Sequence, residues 1–271
     1  MPSDRLPRDP IDLQHELERA VAGNEFGLEY QPIIDLQSGA IASVEALLRW
    51  RHPLLGTIPP ADYLPLAEET GLIVPIGEWV LESASRQLRT WHLGFARMQS
   101  LALNVNVAPQ QLGSPGFVAA VERALDMAEV SSVSLTLELG PGSGAHLDTC
   151  MELRDLGVQL ALEDFGMGTT LEDVRRLPVS GVKLHPSFVA LAAGGPEDVA
   201  FPDALLSIAH ARDLTSVGKG VETRDQARRL ASIGCDLGQG YLYSKPLGPE
   251  GIGTLLARGR VSFGALARTG R

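Results

Sequence analysis

The chain has 271 residues, 44% of them hydrophobic, which is enough to bury one sizeable core, and we read it as a single domain. Its 23 basic and 33 acidic residues give a formal charge of −10, which excludes a general binder of nucleic-acid polymers or anionic membranes. The two cysteines, Cys150 and Cys235, lack Cys-x-x-Cys spacing, so neither a disulfide framework nor a zinc site is expected.

Residues 1–10 are charged and proline-containing without an apolar centre, so they read as a leader or linker rather than a secretory signal. The expected domain covers residues 11–260, with 261–271 as a C-terminal tail. No apolar run is long enough to span a bilayer, so membrane insertion is not expected and a cytoplasmic location is. Strand-like runs occur at 28–34, 41–49, 101–107, 133–139, 158–163, 181–184 and 215–218, with a short glycine-rich run near 238–241. Helix-like stretches lie between them at 61–70, 75–93, 115–128, 198–212 and 224–233, and Gly71, Gly94 and Gly234 close three of these. Only residues 35–40, with Ser38-Gly39, separate the first two strands, a connection too short for a crossover helix and suited to a hairpin. The predicted fold is α/β, a modified (β/α)8 TIM-like barrel with one antiparallel strand.

Six of these runs end at or near residues that bind metals or phosphates: Glu45, Asn106, Glu138, Glu163 with Asp164, Lys183, and Glu222. In a parallel barrel the carboxyl ends of the strands carry the chemistry, so their position gives these residues meaning. Glu138 lies inside an apolar run, where an ionised carboxylate needs a cation or a donor. Alone, it reads equally as a metal ligand or as the partner of a core Arg or Lys. Glu163 and Asp164 repel each other unless a divalent ion shares them, although Asp164 could also be a helix N-cap. Asn106, and Asn104 on the same strand face, offer neutral oxygens suited to a hard cation, or are ordinary strand-end amides. The six histidines show no paired ligand spacing and read as surface or structural residues.

Several segments together resemble the EAL domains of bacterial cyclic di-GMP signalling. They are Gln31-Pro32-Ile33, Glu45-Ala46-Leu47-Leu48-Arg49-Trp50, the stretch PPADYLPLAEETGLIVPIGEW at 59–79, Glu163-Asp164-Phe165-Gly166, Val182-Lys183-Leu184, Gly220-Val221-Glu222-Thr223 and Gln239-Gly240-Tyr241-Leu242-Tyr243-Ser244-Lys245-Pro246. The resemblance runs through nearly the whole chain in order. It implies a pocket that hydrolyses cyclic di-GMP to linear pGpG with two divalent ions, Mg²⁺ or Mn²⁺, activating a water. By the same resemblance Glu45, Asn106, Glu138, Glu163 and Asp164 are metal ligands. Lys183 orients the water or a phosphate oxygen, Glu222 and Gln239 belong to the catalytic centre, and Gln31, Leu47, Arg49 and Pro246 contact the dinucleotide. Arg49 is the cation expected to grip phosphate, because its donor fork suits that geometry; the alternative is a structural ion pair at the barrel rim.

The departures from the family pattern fall in one region. Where the family carries Glu-Gly-Val-Glu, this chain reads Lys219-Gly220-Val221-Glu222. A protonated lysine has donors only and cannot accept a proton from water. It also repels a divalent ion by roughly 6 kcal/mol at ~5 Å and an effective dielectric of ~20. Pro141 replaces an acid after the Glu138 strand, His185 replaces an aspartate after Lys183, and Glu163 stands for the usual Asp. The loop after Asp164 is about one residue short; in the family it links the metal site to a dimer interface. The expected function is therefore cyclic di-GMP binding with impaired catalysis, as a receptor or regulator, with Lys219 as a tethered cation in place of a metal. An active phosphodiesterase, using a deprotonated Lys219 as base, is the first alternative, and a nucleotide-independent protein-interaction module the second. A homodimer and a protein partner are expected.

Overall fold

The computed structural model describes residues 10–23, 25–192 and 194–260. The expected leader and C-terminal tail lie almost entirely outside the described residues. In chain order the elements are α1 (Pro10–Ala22), β1 (Phe26–Asp35), β2 (Ile41–His52), β3 (Gly56–Ile58), α2 (Pro60–Glu69), α3 (Ile73–Gly94), β4 (Ala102–Val107), α4 (Pro109–Leu112), α5 (Phe117–Ala128) and β5 (Leu135–Leu139). They continue with α6 (Leu147–Asp155), β6 (Gln159–Phe165), α7 (Leu171–Arg176), β7 (Gly181–Leu184), α8 (Pro186–Ala192), α9 (Pro196–His210), β8 (Thr215–Lys219), α10 (Arg224–Ser232), β9 (Leu237–Gln239) and α11 (Pro249–Arg258).

The sheet order is β1-β9-β8-β7-β6-β5-β4-β2, and β1 pairs back onto β2 to close the barrel. β1 runs antiparallel to both neighbours, while β2 and β4 to β9 are parallel in sequence around the ring. The reversal follows from the short β1–β2 connection. Asp35 accepts hydrogen bonds at Oδ1 from the backbone N–H groups of Gln37 and Ser38, at 3.1 and 2.6 Å, and Gly39 supplies the left-handed φ of 71° that the turn requires. β3, which the sequence reading did not distinguish, pairs antiparallel with the end of β2 outside the barrel.

Alternation along each strand divides the core. On β4, Leu103, Val105 and Val107 join the hydrophobic core, while Asn104 and Asn106 reach the carboxylates inside the barrel. α3 buries Ile73, Ile76, Val80, Leu81, Ala84, Leu88 and Trp91, the helical spacing that keeps one face on the sheet. Parallel strands place Glu45, Asn106, Glu138, Glu163, Lys183 and Lys219 toward one end of the barrel. Among the described residues no helix is long and apolar enough to cross a membrane.

Candidate active site

Lys183, on β7, is fully buried and organises the centre of the barrel. Its Nζ donates to Glu45 Oε2 at 2.9 Å and to both carboxylate oxygens of Glu138 at 2.7 Å, and lies 3.4 Å from Glu163 Oε1. A buried ammonium is tolerable only with such counter-charges, and each carboxylate in turn needs the cation. One oxygen from each of Glu45, Glu138 and Glu163 lies within 4.8 Å of the others. Both readings of Glu138 thus meet in one geometry: it pairs with a core lysine and stands in a cluster able to hold a metal.

Carboxamides orient the cluster from around the ring. Asn104 Nδ2 donates to Glu138 Oε1 at 2.7 Å, and Asn106 Nδ2 donates to Glu45 Oε1 at 2.7 Å. Gln239 Nε2 donates to Glu45 Oε2 at 2.6 Å and to Gln31 Oε1 at 3.1 Å, while Gln31 Nε2 donates to the Ser244 carbonyl at 2.9 Å. Asn104 Oδ1 and Gln239 Oε1 are buried carbonyl oxygens without a hydrogen-bond partner among the described residues. Three carboxylates with amide oxygens beside them form the oxygen-rich donor set that suits a hard divalent ion. Bound there, such an ion would supply Lewis-acid polarisation of phosphate or of a water.

The titration behaviour follows from the geometry. Burial pushes Glu138 up to about 8, with the charge of Glu45 adding to it and Lys183 opposing. Burial also works against the charge of Glu45, but the Lys183 ammonium and the Gln239 amide overcome it and bring Glu45 down to about 2. Glu163 is lowered in spite of burial, by Lys183 and Lys219. Lys219 is raised: burial lowers it, but the Glu163 carboxylate outweighs that cost. Lys183 is raised in the same way by its three carboxylates.

Lys219, at the end of β8, turns its Nζ to Glu163 Oε1 at 2.8 Å and to Asp164 Oδ1 at 3.6 Å. Among the described residues the Asp164 carboxylate is linked to the cluster through this ammonium, and Asp164 holds a left-handed φ of 51° at the start of the turn that carries Gly166 and Gly168. That turn packs against Pro141: a Cβ on Gly168 would meet the proline ring at 2.8 Å. His185 stays outside the cluster, with Nδ1 2.8 Å from Ser187 Oγ.

The resemblance placed Glu222 in the catalytic centre; in the structure it is exposed, and its carboxylate makes no hydrogen bond or ion pair among the described residues. Gly220, with φ 75°, turns the chain as it leaves β8, and the N–H of Glu222 then donates to Gln226 Oε1 at 2.8 Å as part of the start of α10.

A cleft of about 460 Å³ opens from Glu45, Asn106, Glu138 and Glu163 and runs past Leu47 and Arg49 to an apolar wall of α2 and α3 that includes Leu64, Ile76 and Val80. That volume is in the range of small-molecule sites. Arg49 lines the cleft and also donates through Nε to Glu29 Oε2 at 2.7 Å, so the rim ion pair and the cleft position coexist. Pro246 does not line the cleft; it precedes Leu247, whose N–H donates to the Tyr30 carbonyl at 2.9 Å. Sequence reasoning missed Gln111, which is buried at the cleft floor and accepts from the Ala108 N–H at 3.0 Å. The signal for it was Gly77, a buried glycine of α3 opposite that amide.

The EAL domain family matches residues 14–246, and the chain belongs to that family. It is 35% identical over 264 residues to the cyclic di-GMP phosphodiesterase PA2567 of Pseudomonas aeruginosa, a match covering 95% of this chain and 44% of that protein. The chain thus spans less than half the length of this curated relative. Its structure is similar to that of the PaMucR phosphodiesterase in complex with c-di-GMP, with TM-score 0.82, 36% identity, and coverage of 89% of this chain and 99% of that one. It is also similar to the FimX EAL domain from Pseudomonas aeruginosa bound to c-di-GMP, with TM-score 0.77, 26% identity, and coverage of 87% and 96%.

Proposed function

We propose that this EAL domain binds cyclic di-GMP in the cleft beside Arg49 and hydrolyses it poorly or not at all, acting as a receptor or regulator. The observation that carries the reading is the position of the Lys219 ammonium on Glu163 and Asp164, 2.8 and 3.6 Å away. A general base must accept a proton, and an ammonium held by carboxylates has no lone pair to accept it with. The phosphodiesterase alternative needs a neutral Lys219. Its carboxylate neighbours work against that, because they raise its pKa.

In this reading Glu45, Glu138, Glu163 and Asn106 would hold Mg²⁺ or Mn²⁺, Lys219 replaces part of the metal charge, and Gln31, Leu47 and Arg49 meet the dinucleotide. Assembly as a homodimer, a protein partner and action in the cytoplasm belong to the same proposal. Calorimetric titration with cyclic di-GMP in chelator, with pGpG as competitor, combined with chromatography of the nucleotide after incubation with Mn²⁺, tests it. Binding heat with cyclic di-GMP recovered intact supports the receptor. Steady release of pGpG at enzyme-like turnover favours the phosphodiesterase, and absence of any binding rejects both in favour of an interaction module.

A further inference from the structure

The ligand cleft changes character along its length. At one end it meets Glu45, Asn106, Glu138 and Glu163, with Arg49 farther along, groups suited to metal and phosphate. The rest of its wall is apolar, made by Leu64 of α2 and by Ile73, Ile76 and Val80 of α3, which suits the flat faces of a nucleobase. Two polar side chains interrupt that wall, the half-buried Glu68 and the buried Gln111.

Gln111 is 3% exposed, and its Oε1 accepts from the Ala108 N–H at 3.0 Å. That bond fixes the orientation of the amide, because Nε2 has no lone pair with which to accept from an N–H. Nε2 therefore turns toward Gly77, where a Cβ would collide with it; the absent side chain leaves the place that the nitrogen occupies. Nε2 makes no hydrogen bond among the described residues, yet it is not sealed from the cleft as Asn104 Oδ1 is sealed in the barrel. A donor so enclosed is costly to leave unpaired once a ligand displaces the water, so a ligand that fits this wall brings it an acceptor.

We propose that Gln111 Nε2 donates to the O6 carbonyl of one guanine and is a specificity-determining residue for guanine over adenine. The inference rests on the cyclic di-GMP reading above and assigns one side chain to base recognition. A neutral amide among apolar residues matches a neutral ring carbonyl, whereas the phosphates belong with the charged end of the cleft. Adenine carries an N6 amino group where guanine carries O6, so a donor would face a donor and both would lose their partners. N7, which both bases share, would give no discrimination.

Calorimetry in chelator, so that no turnover intervenes, compares cyclic di-GMP with cyclic di-AMP on the parent chain and on Gln111→Glu. That variant keeps an oxygen for the Ala108 N–H and replaces the donor with an acceptor. The parent is expected to prefer cyclic di-GMP, and Gln111→Glu to shrink that preference about tenfold, chiefly by weakening cyclic di-GMP. An unchanged preference, or equal losses for both ligands as a contact to N7 or to the phosphates would give, overturns the proposal while leaving the receptor reading intact. A parent chain that binds no cyclic di-GMP overturns that reading and this one with it. A crystal structure of the unmodified chain with cyclic di-GMP decides without any variant: a guanine O6 within hydrogen-bond distance of Gln111 Nε2 is expected, and an amide facing water or phosphate refutes the assignment.

Discussion

Lys219 and Glu163 form an ion pair across the barrel mouth, Nζ to Oε1 2.8 Å, with both side chains mostly withdrawn from solvent at 24% and 16% exposure. The pair joins β8 to the end of β6 and occupies carboxylate oxygens that would otherwise need a metal. Its consequence is a change in how much charge the cluster leaves uncompensated.

Above about pH 8, where Glu138 is ionised, four carboxylates, Glu45, Glu138, Glu163 and Asp164, face two ammonium groups, Lys183 and Lys219, for a formal balance of 2 − 4 = −2. That is the charge of one divalent ion. Titration with Mn²⁺ is therefore expected to give one ion per chain. Lys219→Glu changes the balance to 1 − 5 = −4, and two ions per chain are expected, with magnetic coupling between them in electron paramagnetic resonance. Two ions bound by the unmodified chain would remove Lys219 from its role as a tethered cation.

Stability should depend on pH through Glu138. Its folded-state pKa, about 8, lies above the ordinary 4.5, so between those values the folded chain holds a proton that the unfolded chain has lost. This contribution is complete below about 4.5 and declines as pH rises toward about 8. Glu45, lowered to about 2, acts in the opposite sense: its contribution is present above 4.5 and is lost as pH falls toward 2. Glu138→Gln keeps the neutral form permanently, so urea unfolding of that variant should lose much less stability between pH ~5 and ~8 than the parent chain does. Equal slopes would show that Glu138 is not the titrating group.

The barrel was legible in the sequence because most of its strands are apolar runs set between longer amphipathic stretches, and the 35–40 hairpin announced the reversed strand. β3 was not, since three residues, Gly56–Ile58, carry no period. The short helices α7 and α8 were missed for the same reason. Strand ends located Glu45, Glu138, Glu163 and Lys183, but the partner of Glu138 lies 45 residues away in sequence and emerges only when β5 and β7 flank β6 in the closed sheet. For Glu222, spacing after a strand does not register the turn at Gly220 that carries the next residues out to α10.

Arg49 should separate binding from stability. Its ion pair with Glu29 is partly exposed, at 17% and 34%, and such pairs contribute at most about 1 kcal/mol. A phosphate gripped through a charge-assisted hydrogen bond is worth about 1.5–3 kcal/mol, or roughly 10–150-fold in affinity. Arg49→Ala is therefore expected to weaken cyclic di-GMP binding by that factor in calorimetry while the urea midpoint barely moves. Glu29→Gln, which frees the guanidinium, should bind at least as well as the parent. A large stability loss with unchanged affinity would make Arg49 a rim strut and nothing more.

Two glycines of α3 should respond in opposite directions to the same substitution. Alanine at a helical glycine gains up to about 1 kcal/mol of propensity when nothing obstructs the new methyl group. At Gly94 a Cβ meets nothing within 4 Å, so Gly94→Ala should stabilise by about 0.4–1 kcal/mol. At Gly77 the same atom would lie 1.9 Å from Gln111 Nε2, and Gln111 is itself buried, with its Oε1 holding the Ala108 N–H at 3.0 Å. The amide must leave that position, which exposes an unpaired donor and disturbs the cleft floor. Gly77→Ala should therefore cost about 1–3 kcal/mol in chemical denaturation. Combining it with Gln111→Ala should recover part of the loss, because the obstructing side chain is gone. Additive losses in the double variant would place the strain elsewhere, in the helix backbone rather than at the amide.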